Sequence, residues 1–265
     1  MDAFLERFGG VARVLGEPAL DRLRAAHVAV IGLGGVGSWA VEALARSGVG
    51  ELTLVDLDDV CVTNLNRQLP ALTSTLGQPK VAVLAARVRD INPEIRVYAR
   101  PEFFTAETAE ALLAPRFDAV LDAIDSPSLK ALLLARARAR GLPLVTAGGA
   151  GGRRDPTQIR VADLAHTARD PLLAEVRRRL RGVHGFPRGG EPFGVDAVFS
   201  TEPMRVPAPE ECAAGPEGPA CERRFGALCF VTGTFGFAAA AQVVARLAGL
   251  PGLEWPAPAA GRRGG

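Results

Sequence analysis

HVAVIGLGGVGSWAVEALARSGVGELTLVDLD, residues 27–58, reads as strand, glycine turn, helix, strand and closing acid. The run HVAVIG is short, apolar and rich in β-branched side chains, as a strand buried on both faces requires. Gly32, Gly34, Gly35 and Gly37 follow at once. Such a turn lets backbone N–H groups approach a phosphate closely, at the positive end of the helix that starts near Val36. ELTLVD is the second strand, and Asp56 at its C-terminal end is placed to accept hydrogen bonds from a ribose. The stretch predicts an α/β fold: a Rossmann-like, doubly wound, mostly parallel sheet with a nucleotide at the glycine turn. Alone, it fits a dinucleotide fold equally well.

The next segment separates the two. LDDVCVTNLNRQ places Asp58, Asn64, Asn66, Arg67 and Gln68 after the second strand, at the sheet edge where open α/β folds bind ligands. GQPK then opens a helix over residues 81–91, with Pro79 in its first turn. Lys80 therefore stands at a helix start, where a cation opposes the macrodipole, and a residue set against its local preference is a candidate for function. EIRVYA is the next strand, residues 105–113 a helix, and FDAVLDAIDS a strand ending in Asp122 and Asp125. A carboxylate there suits Mg²⁺ beside a triphosphate, since Mg²⁺ takes few protein oxygens together with phosphate and water. The plainer reading is an acidic strand end with Ser126 capping the following helix.

A nicotinamide dehydrogenase needs the glycine turn and the acid but has no use for Arg67, Lys80 and Asp125. ATP chemistry uses all of them: two cations on the phosphates and one carboxylate for Mg²⁺ as a nucleophile attacks the α-phosphate. The turn also lacks the GxxxxGK[ST] form of a P-loop, which argues against γ-phosphoryl transfer.

The 265 residues are 48 % hydrophobic, enough for a sizeable core, and the net charge of +2 gives no bulk attraction to nucleic acid. Lys80 and Lys130 are the two lysines in an arginine-rich chain. Cys61, Cys212, Cys221 and Cys229 form no CxxC pair, which argues against a zinc ribbon. The chain divides into a helical lead-in (1–26, with stretches at 3–8 and 18–25), an ATP-binding domain (27–150), a C-terminal extension (151–250) and a tail (251–265) expected to be disordered. In the extension, TQIRVADL and GVDAVFSTEP alternate as strands, which predicts an antiparallel addition. DPLLAEVRRRLR is a helix carrying Arg177, Arg178, Arg179 and Arg181. These arginines, with Arg153 and Arg154, either form a solvated basic face or hold RNA phosphates. Residues 207–224 are rich in Pro, Gly, Ala and Glu, as a mobile crossover would be. Cys221 beside Arg223 and Arg224 is a candidate thiol nucleophile. Residues 225–245 carry no charge and are long enough to span a bilayer, but their Gly, Thr and Gln residues favour a buried or subunit-interface helix. No secretory signal opens the chain, so the cytoplasm is the expected location.

GLGGVGSWAVEALARSGVGELTLVDLDDVCVTNLNRQ, GQPK and LDAIDS, in that order, resemble the ubiquitin-activating, ThiF-type adenylyltransferase superfamily. The resemblance implies that Asp56 holds the ribose, that Asn64, Arg67, Gln68 and Lys80 hold the phosphates, and that Asp125 holds Mg²⁺. It also implies a homodimer in which an N-terminal arginine reaches the partner's ATP. Arg13 is the candidate, with Arg7 behind it, because the spacing departs from the common arginine motif. RFGGVARVLG, PTQIRVADLAHTARDPL, GVDAVFSTE and FGALCFVTGTFGFAAA are similar to the tRNA threonylcarbamoyladenosine dehydratase branch. That likeness implies a tRNA substrate whose threonyl carboxylate is adenylated and then cyclises. The alternatives are adenylation of a sulfur-carrier or ubiquitin-like protein, with a sulfur-transfer partner, and a nucleotide-binding scaffold without turnover.

Overall fold

The computed structural model describes residues 2–205 and 225–251. Its strands are β1 (His27–Ile31), β2 (Glu51–Val55), β3 (Arg96–Arg100), β4 (Ala119–Asp122), β5 (Leu144–Ala147), β6 (Ile159–Asp163) and β7 (Asp196–Ser200). They form one sheet in the order β3-β2-β1-β4-β5-β7-β6. All neighbours are parallel except β6 and β7. The order reverses between β1 and β4, so a crevice opens at the C-terminal ends of those strands. The antiparallel element expected of the second half is thus confined to β6, while β7 continues the parallel sheet beside β5.

The period-two pattern of the strands feeds two cores. Val28, Val30, Leu52, Leu54 and Leu121 pack under α3 (Gly37–Arg46), α4 (Lys80–Ile91) and α8 (Cys229–Leu247). Ala29, Ile31, Val55 and Val120 face the other way, under α5 (Ala109–Leu112), α6 (Pro127–Ala139) and α7 (Pro171–Val183). The lead-in folds as α1 (Ala3–Leu15) and α2 (Glu17–Ala25). Asp2 caps α1 by accepting from the Phe4 N–H at 2.9 Å, and Phe4 and Phe8 bury against Leu20. That apolar anchor carries α1 through Gly9 and Gly10, well past the expected end at residue 8.

The helix expected over residues 105–113 shrinks to the four residues of α5. Thr105 and Thr108 exchange backbone-to-hydroxyl hydrogen bonds at 2.9 and 3.3 Å, and the Thr108 hydroxyl donates to the Phe103 carbonyl at 2.7 Å. These local bonds compete with the helix ladder and delay its start.

Of the two readings of residues 225–245, the structure takes the buried helix. α8 is the one helix among the described residues long and apolar enough to cross a membrane. It places Val231, Phe235, Ala239, Ala240 and Val243 in the core. A Cβ at Gly236 would stand 2.5 Å from the Val36 carbonyl oxygen and 2.8 Å from Trp39 Cβ, so only glycine lets α8 lie this close to α3. Arg22 closes the far end of α8, donating from Nε to the Leu247 carbonyl at 3.3 Å and from Nη2 to the Ala248 carbonyl.

Gly236→Ala should therefore cost about 1–3 kcal/mol of stability, the usual range for overpacking. Gly182→Ala, in α7 with open space around its Cβ position, should instead stabilise by about 0.5–1 kcal/mol. Urea denaturation of both variants checks the opposite signs.

Candidate active site

The glycine turn is built around one close approach. Gly32 sits at φ 89°, and a Cβ on it would lie 2.8 Å from the Ala123 carbonyl oxygen in the turn that follows β4. The two turns are tied into the sheet by Gly32 N–H to the Val55 carbonyl and Ala123 N–H to the Ile31 carbonyl, both 2.9 Å. No side chain caps the first turn of α3 and no acid lies in it, so its positive end faces the crevice. Ser38 stiffens the loop by donating to the Gly34 carbonyl at 2.6 Å and accepting from the Leu69 N–H at 3.3 Å.

Asp56 is half-buried beside this turn. Its Oδ2 accepts from the Leu33 N–H at 2.6 Å and its Oδ1 from the Asp58 N–H at 2.8 Å. Burial pushes its carboxyl above the usual range, against those hydrogen bonds and the nearby Lys80 ammonium. Each carboxylate oxygen keeps acceptor capacity, which a ribose hydroxyl can use.

The polar segment after β2 is fastened from several sides. Asn64 Oδ1 accepts from the Cys61 N–H at 3.1 Å, and the Asn64 carbonyl accepts from Arg67 and Gln68 N–H at 3.1 and 2.9 Å. The Arg67 carbonyl accepts from Trp39 Nε1 at 3.0 Å and the Thr232 hydroxyl at 3.3 Å, while Asn66 Nδ2 donates to the Ala227 carbonyl at 2.9 Å. Arg67's backbone is held by α3 and α8, while its guanidinium, among the described residues, donates to the Thr63 carbonyl (2.8 Å) and Asn66 Oδ1 (3.1 Å) and to no carboxylate. Gln68 is buried next to Gly34, and its Oε1 has no hydrogen-bond partner. A buried amide oxygen without a partner among the described residues, beside a glycine turn, can accept a hydrogen bond from a ligand there.

Lys80 explains its odd position by its surroundings. The residue is only 4 % exposed, and its Nζ donates to Asp58 Oδ2 at 2.8 Å. A buried ammonium and a half-exposed carboxylate make an asymmetric pair.

Asp122 and Asp125, grouped by sequence, part company in the structure. Asp122 is fully buried and bound to Lys130 Nζ at 2.7 Å and the Thr146 hydroxyl at 2.6 Å. Asp125 is exposed at the crevice, two residues beyond the Ala123–Gly32 contact, with no hydrogen bond or ion pair to the described residues. Ser126 occupies the N-cap position of α6 without a side-chain cap bond, so the plain capping reading fails. No group of three or more metal-type side chains occurs among the described residues. One free carboxylate suits Mg²⁺ shared with a triphosphate and does not suit an all-protein metal cage.

The remaining sequence candidates scatter. Arg153, expected at an RNA surface, is interior at 1 % exposure. It donates to the Gly149 and Arg169 carbonyls at 2.9 and 3.0 Å and to the Glu202 carbonyl, stapling three loops together. Its long side chain satisfies carbonyls that would otherwise be buried unpaired. Arg154 stays exposed. On α7, Arg178 and Arg179 pair with Glu175 at 2.6 and 2.8 Å, and these cations hold its carboxyl down at about 2. Arg177, Arg178 and Arg181 line an open groove of about 610 Å³ with Arg188 and no acid. Burial and the adjacent Arg181 lower the Arg177 pKa, a sign of crowded like charge. Arg7 and Arg13 are exposed on α1, and Arg13 lies over Gly9 and Gly10 of its own helix. α1 packs through Phe4 and Phe8 at Gly48, beyond the end of α3 remote from the glycine turn, so neither arginine is brought to the site of its own protomer. Cys221 and the crossover of 207–224 lie outside the described residues, as does the tail beyond Pro251.

Comparison with known proteins fits this geometry. The ThiF family matches residues 9–255. The chain belongs to the ThiF family. A tRNA threonylcarbamoyladenosine dehydratase from Haemophilus influenzae is 48 % identical over 248 residues, covering 93 % of this chain and 95 % of that one. The Escherichia coli tRNA N6-threonylcarbamoyladenosine dehydratase crystallised with ATP superposes with a TM-score of 0.84 at 47 % identity, covering 93 % of this chain and 96 % of that chain. A sulfur carrier protein ThiS adenylyltransferase from Escherichia coli is 38 % identical, but over only 52 % of this chain and 56 % of its own. The likeness to the dehydratases thus runs over nearly the whole chain, and that to the sulfur-carrier enzyme over about half of it.

Three features of this family member escaped sequence reasoning: the Trp39 and Thr232 grip on Arg67, the glycine seat of α8, and the Lys130 pair. Each joins residues far apart in the chain, and no local motif marks them. Asp56 gives a pH signature. Because its folded pKa is raised, the folded protein binds more protons than the unfolded chain just above pH 4, and stability falls as pH rises through the Asp56 titration. Asp56→Asn should flatten that part of the melting-temperature profile, on the side above pH 4. An unchanged slope would mean the carboxylate is not buried as described.

Proposed function

We propose that this chain works as an ATP-dependent tRNA threonylcarbamoyladenosine dehydratase, with the crevice at the glycine turn as its adenylation site. The observation that carries the reading is the company around that turn: Arg67 and Lys80 as cations, Gln68 with an unsatisfied buried amide, and Asp125 with a free carboxylate. In this reading Asp56 and the Gly32, Gly34, Gly35 and Gly37 turn hold the nucleoside, and Asn64, Arg67, Gln68 and Lys80 face the phosphates. Asp125 would hold Mg²⁺, which neutralises phosphate charge when bound. An oxygen of the threonyl carboxylate bonds to the α-phosphorus while the bond to the β-phosphate breaks, releasing pyrophosphate. Lys80 and Arg67 stabilise the charge that builds on the phosphate oxygens. An internal atom of the modified adenosine then attacks the acyl carbon and AMP leaves. The substrate itself holds that atom close, so ring closure needs no enzyme nucleophile.

Asp125→Ala should abolish pyrophosphate release with threonylcarbamoyladenosine-bearing tRNA, and Asp56→Ala should mainly weaken ATP binding. Full activity in both variants would show that the site is misplaced. A parallel assay with sulfur-carrier proteins as acceptor tests the competing substrate class, and their turnover in place of tRNA would overturn the dehydratase reading.

The arginine groove on α7 is the tRNA-binding surface in this reading. α7 has 13 residues, a span of about 20 Å at the helical rise. Its first turn meets the sheet's C-terminal edge, where Asp170 accepts from the Gly149 N–H at 2.9 Å. Arg177, Arg178, Arg181 and Arg188 therefore lie along the outer face leading away from the crevice, where they can hold phosphates flanking the reacting nucleotide. The homodimer and the action of Arg13 on the partner's ATP belong to the same proposal, supported by the exposure of that arginine away from its own site. A cytoplasmic location fits a tRNA substrate. Replacing the four groove arginines with Gln should flatten the plot of log affinity against log salt by about 3.6 in slope, near 0.9 for each phosphate no longer neutralised. An unchanged slope would return the groove to a solvated face.

A further inference from the structure

Lys80 and Lys130 are the two lysines in a chain with 31 lysine and arginine residues together, and both are buried. Lys80 belongs to the nucleotide site. Lys130 does not touch it, yet Lys130, Asp122 and Thr146 are each 0 % exposed. Lys130 Nζ donates to Asp122 Oδ2 at 2.7 Å and to the Thr146 hydroxyl at 3.1 Å, and that hydroxyl donates to the same Asp122 oxygen at 2.6 Å. The closed triangle joins α6, β4 and β5. An ammonium on a flexible stem satisfies this small polar space, whereas a planar guanidinium with five donors would leave several unpaired. That accounts for a lysine where the chain otherwise uses arginine.

A buried ion pair is a weak way to gain stability, because desolvation offsets most of the attraction and a well-packed apolar trio serves as well. What the triangle does supply is a fixed carboxylate. The other oxygen of Asp122, Oδ1, accepts from the Ile124 N–H at 3.0 Å. Ala123, between them, presses its carbonyl against Gly32, and Asp125 is the next residue after Ile124. One carboxylate thus grips both the strand end and the turn that carries Asp125 beside Gly32.

We propose that Lys130 is a positioning residue: acting through Asp122 and the Ile124 N–H, with Thr146 as the third member, it fixes the Asp125 carboxylate where it meets the metal–phosphate unit. The inference rests on the reading of Asp125 as the metal-holding carboxylate.

The test uses full-length Lys130→Met, Thr146→Val and Asp125→Ala proteins. Calorimetry measures binding of a non-hydrolysable ATP analogue with and without Mg²⁺, and pyrophosphate release gives kcat and KM. Lys130→Met should bind the metal-free analogue within about twofold of the parent, yet need about tenfold more Mg²⁺ for the half-maximal effect on binding. Thr146→Val, which keeps the ion pair, should shift the same midpoint about threefold, and in both variants kcat should fall more than KM for ATP rises. A purely structural triangle would lower the melting temperature and leave the Mg²⁺ midpoint in place, and that result overturns the proposal. If Lys130→Met does not fold, Thr146→Val decides alone. An unshifted midpoint in Asp125→Ala removes the metal reading itself. A shift in Asp125→Ala without one in the other two removes only the positioning role.

Discussion

The site depends on a contact that admits no side chain. At Gly32 the backbone leaves β1 with a positive φ and passes so close to the Ala123 carbonyl that a Cβ would overlap it. This contact brings together the ends of two adjacent parallel strands at the point where the sheet order reverses. The β1 side contributes the turn and the free start of α3, and the β4 side contributes Asp125. Any residue larger than glycine at position 32 would separate the glycine turn from the turn that carries Asp125.

α8 supplies a second constraint of the same kind. Gly236 lets it lie against Val36 and Trp39 at the start of α3, and Thr232, one turn earlier, reaches the Arg67 carbonyl. A helix from late in the sequence therefore backs both the glycine turn and the segment that carries Arg67. Its apolar composition, which would equally suit a bilayer, is the composition of a helix that packs on a sheet while touching α3 along its length. The energetic logic is common to both contacts: close packing fixes the backbone, and the polar side chains mounted on it remain available.

Charge is arranged along the same lines. The fully buried polar groups serve structure: Asp122 with Lys130 and Thr146, and Arg153 on three carbonyls. At the crevice, among the described residues, Gln68 Oε1 has no hydrogen-bond partner, Arg67 no carboxylate and Asp125 no hydrogen bond or ion pair. A buried amide oxygen without a partner among the described residues is uncommon, and at this crevice Gln68 stands with the half-buried Arg67 and the exposed Asp125, all able to meet a ligand. Arg177, Arg178 and Arg181 of α7, with Arg188, form a second basic concentration, in which Arg178 and Arg188 are exposed and the other two half-buried.

Much of this was legible in the chain before any coordinates. Residues 27–58 dictate strand, turn, helix, strand and acid through local periodicity and glycine chemistry, and the family motifs extend that reading to Arg67, Lys80 and Asp125. Such features are local, so spacing alone encodes them. What the sequence could not decide were the long-range partnerships. Asp122 and Asp125 look alike three residues apart, and only the approach of Lys130 and Thr146 makes one a buried anchor and leaves the other free. Arg153 and Arg154 are adjacent arginines, yet the three carbonyls converging on the first turn it inward while the second stays in solvent. The apolar run of residues 225–245 became a core helix because Gly236 fits against α3. Burial is a property of what surrounds a residue, and that is settled only when the distant segments meet.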